Sequence, residues 1–146
     1  ASTELAESFG QLTASLHAIC DKLSESILRH RSTLDTRYFV SEPLRTLKKY
    51  LVESPAVYRE FHRIGTEITR QIQTLKRISP FFGFCHGDIQ PDNMVLIDGR
   101  PGFIDFDLCG SGFRSYELAV SLFLSRTYAQ YSTFPWVRFL KSYQVH

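Results

Sequence analysis

The chain is 146 residues long, 43% hydrophobic and 14% aromatic, enough for one domain with a buried core and too apolar for a disordered polymer. Its formal net charge of +2 is too small to mark a nucleic-acid binder, and no apolar run reaches the roughly twenty residues that span a bilayer. Cys20, Cys85 and Cys109 are an odd set without disulfide-framework spacing, so reduced thiols and a cytoplasmic setting are expected. A zinc site drawn from these cysteines with His17 and His86 lacks the paired short spacings of structural sites. The cluster Arg29, Arg31, Arg37, Arg45, Lys48 and Lys49 reads as a solvated basic face.

From Thr3 the residues Leu5, Phe9, Leu12, Leu16, Ile19, Leu23 and Ile27 recur at spacings of three and four. That pattern predicts the buried stripe of one helix to about Leu28, with His17 packed beside it. Residues 30–41 have no period and read as a loop. Pro43 opens a short helix carrying Leu44, Leu47 and Leu51. Ser54-Pro55 then caps a longer one that presents Val57, Phe61, Ile64, Ile68, Ile72, Leu75 and Ile78 and stops at Ser79-Pro80. Phe81–Phe84 suits a brief strand. Met94–Ile97 and Phe103–Phe106 are apolar runs separated by Asp98-Gly99-Arg100-Pro101-Gly102, which predicts a β-hairpin. Leu108–Arg114 is a Gly- and Ser-rich loop, and Ser115 is placed to cap a helix to about Tyr128 with Leu118, Leu122 and Ser125 on one line. Pro135 starts a last helical segment with Trp136, Phe139, Leu140 and Tyr143. The fold class expected is α+β, mainly helical. Both ends read as cut, the second at Val145-His146 inside a helical pattern, so a longer protein is expected.

The chemistry gathers between Cys85 and Asp107, where one His, five Asp and one Asn alternate with apolar runs. Polar groups pinned between buried strands are costly unless they are paired or bind something. Asp88 sits in a His-Gly-Asp turn, Asn93 just before a strand, and Asp105 near the end of the next. A hairpin that joins Asn93 and Asp105 at one end offers two oxygen ligands to a hard cation such as Mg²⁺, with Asp88 nearby as a carboxylate able to accept a proton. One base beside a metal platform suits phosphoryl transfer. A calcium loop is excluded, since counting from Asp88 its sixth and twelfth positions would be Gly and Glu and are Asn93 and Gly99. Asp92 and Asp98 read as turn chemistry.

His86-Gly87-Asp88-Ile89-Gln90-Pro91-Asp92-Asn93 followed by Ile104-Asp105-Phe106-Asp107 resembles the aminoglycoside phosphotransferase and choline kinase-like family, which has a protein-kinase-like fold and includes homoserine kinase-type enzymes. The likeness continues to Ala119, where Glu117-Leu118-Ala119 stands in place of the family's Asp-Leu-Ala, and Leu16-His17 resembles its first large-lobe helix. The resemblance implies that Asp88 is the catalytic base, that Asn93 and Asp105 bind the nucleotide-bound Mg²⁺, and that Asp107 is a further, weaker metal contact. It implies that His86 holds the loop and that Glu117 braces it from the following helix. ATP as co-substrate and a small-molecule hydroxyl as acceptor follow from the same resemblance.

No Gly-rich phosphate loop and no strand-borne Lys precede Cys85. The chain is therefore expected to be a large lobe of residues 1–146 without the small ATP-clamping lobe, binding nucleotide weakly by itself. An atypical protein Ser/Thr kinase and a non-catalytic binding module are the competing readings; an intact Asp88, Asn93 and Asp105 set argues against the latter. From Leu118 to His146 there is no Asp or Glu, which tilts the acceptor away from polycationic aminoglycosides. Tyr116, Phe123, Tyr128 and Trp136 could form a choline-type cation site, although core packing is the plainer use of such residues.

Overall fold

Helix α1 (Thr3–Cys20) starts where the Ser2 hydroxyl accepts the amide of Leu5, an N-cap of the ordinary kind. In the computed structural model, which describes residues 2–129 and 132–143, its buried line is Ala6, Phe9, Gly10, Thr13, Ala14, His17 and Cys20. This line is rotated from the leucine stripe the spacing predicts. Leu5, Leu12 and Leu16 pack at the margins and Ile19 is exposed. Small residues face inward because another helix crosses there: a side chain at Gly10 would run into the Phe139 carbonyl and the Ser142 hydroxyl. The helix also ends earlier than predicted. Its chain turns at Asp21, whose carboxylate is held by Arg114 and by the Ser79 hydroxyl. A single turn, α2 (Glu25–Leu28), follows. The side chains of Ile27 and Ser125, and the Val145-His146 end, lie outside the described residues.

The predicted loop 30–41 contains strand β1 (Ser32–Leu34) and a π-helical turn (Arg37–Ser41); three residues are too few to show a period. Helices α3 (Glu42–Tyr50) and α4 (Pro55–Gln73) form an antiparallel pair, each with proline in its first turn. They meet at Gly65, where a β-carbon would stand 2.8 Å from Val40 and 2.9 Å from Leu44. Helix α4 stops at Gln73, short of Ile78, and much of the apolar stripe read from its spacing lies in solvent: Val57, Phe61, Ile64 and Ile68 are 42–48% exposed.

Strand β2 (Phe82–Cys85) leads into the His-Gly-Asp stretch. Strands β3 (Met94–Ile97) and β4 (Arg100–Phe103) pair antiparallel, Met94 opposite Phe103 and Ile97 opposite Arg100. The second strand begins three residues before the predicted Phe103–Phe106 run. Asp98 and Gly99, at φ 51° and 75°, make a two-residue turn of the mirror-image type that closes tight hairpins, so Arg100 already pairs. Strand β5 (Gly110–Phe113), inside the predicted Gly- and Ser-rich loop, is central in a three-stranded sheet, parallel to β1 and antiparallel to β2. Helix α5 (Arg114–Thr127) follows with Phe113, not Ser115, at its cap, and α6 (Trp136–Ser142) closes the described chain.

The main core is Ala6, Phe9, Ile89, Trp136 and Phe139, formed where α1 crosses α6 under the loop after β2. A smaller cluster of Cys20, Phe84 and Cys109 lies beside it, its thiols free. Among the described residues no helix is long and apolar enough to cross a membrane. The fold is α+β and mainly helical, as the sequence predicts.

Candidate active site

Strand β2 delivers His86, Gly87 and Asp88 into a loop that only glycine can make. Gly87 has φ 89° and a side chain there would collide with the Leu108 carbonyl. One carboxylate oxygen of Asp88, Oδ2, accepts from Gln90 Nε2 at 2.8 Å and from Asn93 Nδ2 at 2.9 Å. The same Asn93 nitrogen donates to the Asp88 carbonyl at 2.9 Å. Two donors on one oxygen fix the carboxylate's orientation and leave Oδ1 outside these bonds.

Asn93 is buried at the end of a 3-10 turn (Pro91–Asn93), immediately before β3. The Ile104 amide donates to its carbonyl at 3.1 Å, which carries the hairpin ladder one step past Phe103. Asn93 therefore stands across from Ile104, next in line to Asp105. Asp105 is not in a strand, as the sequence suggests, but just beyond β4 at φ 62°, the left-handed region that costs a non-glycine residue energy. Its side chain is exposed. Asp107 is exposed in the following turn and makes no hydrogen bond or ion pair among the described residues. The structure thus ties Asp88 to Asn93 directly, brings Asp105 to the same hairpin end through the ladder, and leaves Asp107 apart.

His86 is fully buried and its Nε2 lies 2.9 Å from the Ile104 carbonyl. A carbonyl only accepts, so the proton is on Nε2. The ring packs on Phe106, centroids 4.2 Å apart. It therefore pins the peptide just before Asp105 and offers no proton to the site.

Behind the loop is a buried polar network. Glu117 Oε1 accepts the Gly87 amide at 3.1 Å, and Oε2 accepts from His17 Nε2 at 2.7 Å. His17 Nδ1 meets the Tyr143 hydroxyl at 2.8 Å. Arg114 donates to the carbonyls of Pro80 and His17, at 3.0 and 3.1 Å, and pairs with Asp21. Burial pushes the Tyr143 hydroxyl up to about 12. Burial, reinforced by the negative charge of Glu117, pushes the Cys85 thiol up as well. His17, Cys85 and Glu117 bring ligand atoms within 4.8 Å of one another. Both His17 nitrogens and both Glu117 oxygens are already hydrogen-bonded, so the grouping is a packed brace and not a metal centre.

Glu117 and His17 are visible in the sequence; Arg114, Tyr143 and Gln90 are not. An arginine at the end of a Gly-rich loop and a tyrosine near the chain's end give no sign that both reach the same helix. The four aromatics of the imagined cation site do not converge: Trp136 is in the core, while Phe123 and Tyr128 are exposed. Tyr116 instead stacks on Phe39 at 4.2 Å. Its hydroxyl is pushed up first by burial and then by the negative charges of Tyr38 and Asp88, which places it in the neighbourhood of the loop.

A small sheet handing a His-Gly-Asp loop to an Asn- and Asp-bearing hairpin, braced from helices on either side in sequence, is the large-lobe architecture of protein-kinase-like phosphotransferases. The chain belongs to the phosphotransferase enzyme family, whose family model matches residues 1–144. It is 34% identical over 113 residues to an uncharacterized protein of Deinococcus radiodurans, covering 77% of this chain and 32% of that one. It is 26% identical over 117 residues to an uncharacterized protein of Synechocystis, covering 80% and 32%. The chain thus spans about a third of the length of these curated relatives. Among solved structures, an amicoumacin kinase in complex with AMP-PNP, Ca²⁺ and Ami superposes with a TM-score of 0.66 at 17% identity, over 97% of this chain and 42% of that one. That likeness is one of fold.

Proposed function

We propose that this chain is the large lobe of an ATP-dependent phosphotransferase that moves the γ-phosphoryl group to a hydroxyl of a small molecule. The observation that carries the reading is Asp88, oriented by Gln90 and Asn93 at the mouth of a loop held from behind by Glu117. The acceptor oxygen attacks the γ-phosphorus, its proton passes to Asp88, and the bond from that phosphorus to the β–γ bridging oxygen breaks to release ADP. Positioning and charge stabilisation supply most of the catalysis in such transfers.

The donors near Asp88 suit a hard divalent cation. Asn93 spends its amide nitrogen on Asp88, which leaves its side-chain oxygen outside those bonds, and Asp105 adds an exposed carboxylate held at φ 62°. Asn93 and Asp105, with Asp107 as an outer contact, are the residues we assign to Mg²⁺, which would neutralise phosphate charge when bound. His86 keeps the peptide before Asp105 in place, so the two halves of the site move together.

For the acceptor, a cavity of about 310 Å³ lined by Leu34, Asp35, Phe39, Ile72, Phe113 and Tyr116 opens beside the aromatic pair. Its walls are mainly apolar, its one carboxylate, Asp35, already accepts the Arg37 and Tyr38 amides at 2.9 and 3.3 Å, and no acid follows Glu117 in the sequence; together these favour an alcohol with an apolar body over a polycation. The match to about a third of each relative supports a small lobe supplied by other residues, so the chain alone is assigned weak nucleotide binding; micromolar ATP binding by calorimetry would contradict that. Buried free thiols fit a cytoplasmic setting.

The deciding experiment is a screen of small alcohols with ATP consumption as readout, run on the full-length protein and its Asp88→Ala variant. The variant should lose about 10²–10⁴-fold in turnover and keep its thermal transition. Undiminished turnover would remove Asp88 from the role of base.

A further inference from the structure

All six residues of the basic cluster are exposed, as a solvated face requires, but two of them also border a concavity. Arg45 and Lys48, one turn apart on α3, line a cleft of about 400 Å³ against α4, where Tyr58, His62 and Thr69 form the opposite wall. Close contact of the two helices at Gly65 makes the floor, so the cations border a concavity and not an open convex surface. No acid lines it. Of the acids on the two helices, Glu60 is engaged with Arg63 and Glu67 with Arg70, each at 2.7 Å, and Glu42 with Arg37 at 3.0 Å; Glu53, in the turn between the helices, does not line the cleft. Arg45 and Lys48 have no ion pair among the described residues.

Two cations without counter-ions, facing a phenol, an imidazole and a hydroxyl, are a donor-rich setting for an anion with several oxygens. A guanidinium and an ammonium together suit a tetrahedral dianion better than a planar carboxylate, which one arginine satisfies by itself. We propose that the α3–α4 cleft binds the phosphate group of a phosphomonoester. The cleft is separate from Asp88. Its near edge, Val40 and Ser41, continues the π turn whose Phe39 stacks on Tyr116, so a bound ester would sit against the wall of the acceptor cavity. The assignment stands on the cleft alone and does not need Asp88 to be the base.

The test is a titration of the chain by amide NMR with inorganic phosphate, glycerol 3-phosphate and acetate at matched ionic strength. Saturable shifts are expected at Arg45, Lys48, His62 and Thr69, with a Kd for glycerol 3-phosphate on the order of 1 mM or tighter. That ester should bind at least as tightly as inorganic phosphate; weaker binding would overturn the monoester assignment. Arg45→Gln with Lys48→Gln should raise the Kd about tenfold or more, whereas Arg29→Gln with Arg31→Gln should leave it unchanged. Shifts that never saturate, an equal response to acetate, or equal loss in the control pair would overturn the site. Asp88→Ala should titrate as the parent does, so a failed catalytic reading and a failed cleft give different results.

Discussion

Two regions of this molecule use polarity in opposite ways. Around the His-Gly-Asp loop, charged and polar groups are inside: His17, His86 and Glu117 are fully buried and Arg114 nearly so. On the α3–α4 hairpin, the apolar groups are outside, with Val57, Phe61, Ile64 and Ile68 in solvent and Gly65 alone buried on α4. In the first region most buried polar atoms are matched to a specific partner, with His86 Nδ1 and Arg114 Nε left without one among the described residues, so the residues are fixed largely by geometry. In the second the sequence specifies an amphipathic helix, yet only the narrow line through Gly65 is used by the described chain. The loop region therefore should answer to single substitutions, and the exposed stripe should not.

The largest effect is expected at Glu117. Glu117 accepts from two buried donors, His17 Nε2 and the Gly87 amide; leaving a buried donor unsatisfied costs about 1–3 kcal/mol, and two such losses are a large part of a typical domain's stability. Glu117→Ala strands His17 and the Gly87 amide together and should lower the urea midpoint accordingly. Glu117→Gln keeps an oxygen for Gly87 and should cost less. Equal losses in the two variants would mean that packing, not the hydrogen bonds, makes the brace.

Tyr143→Phe comes next, since it deletes one hydrogen bond to His17, worth about 1 kcal/mol at neutral pH. Its pH dependence sharpens the comparison. The folded hydroxyl titrates near 12 and the unfolded one near 10, so the raised value stabilises the protonated fold fully below pH 10. This contribution fades as pH climbs through 12. The gap between parent and variant in urea midpoint should hold up to pH 10 and shrink between 10 and 12. A gap that stays constant would show that Tyr143 is solvated at the end of the network.

How much of this was legible before the structure differs in the same way. The paired motif around Asp88, Asn93 and Asp105 was readable because each residue carries a chemical type at a fixed spacing, and the two turns that place them need Gly87 and Asp98-Gly99. Helix positions were readable from period. Which face of α1 is buried was not, because the spacing of Leu5, Leu12 and Leu16 reports hydrophobicity, while the crossing with α6 selects for small residues at Gly10 and Thr13. The position of Asp105 beyond its strand was also hidden, since a left-handed φ on an aspartate leaves no mark on an apolar run. Strand β5 was hidden in a glycine-rich segment, where the sheet needs small residues under Leu34 and the pattern resembles a loop.

The exposed stripe gives the smallest and most discriminating effect. Ile64→Ser with Ile68→Ser removes two side chains that are each 42% exposed, and surface changes of this kind stay within about 0.5 kcal/mol. In the 146-residue chain the thermal transition should hardly move. Apolar faces of this size seldom stand bare in a finished fold, and a stripe covered by further residues would respond to the same pair as core positions do, by roughly 2 kcal/mol or more. Measuring the pair in the chain and in the full-length protein therefore separates two causes of amphipathicity. No change in either would make α4 a solvent-facing lid whose apolar spacing serves only the contact at Gly65. A loss confined to the longer protein would show that the stripe is half of an interface whose other half the chain does not contain.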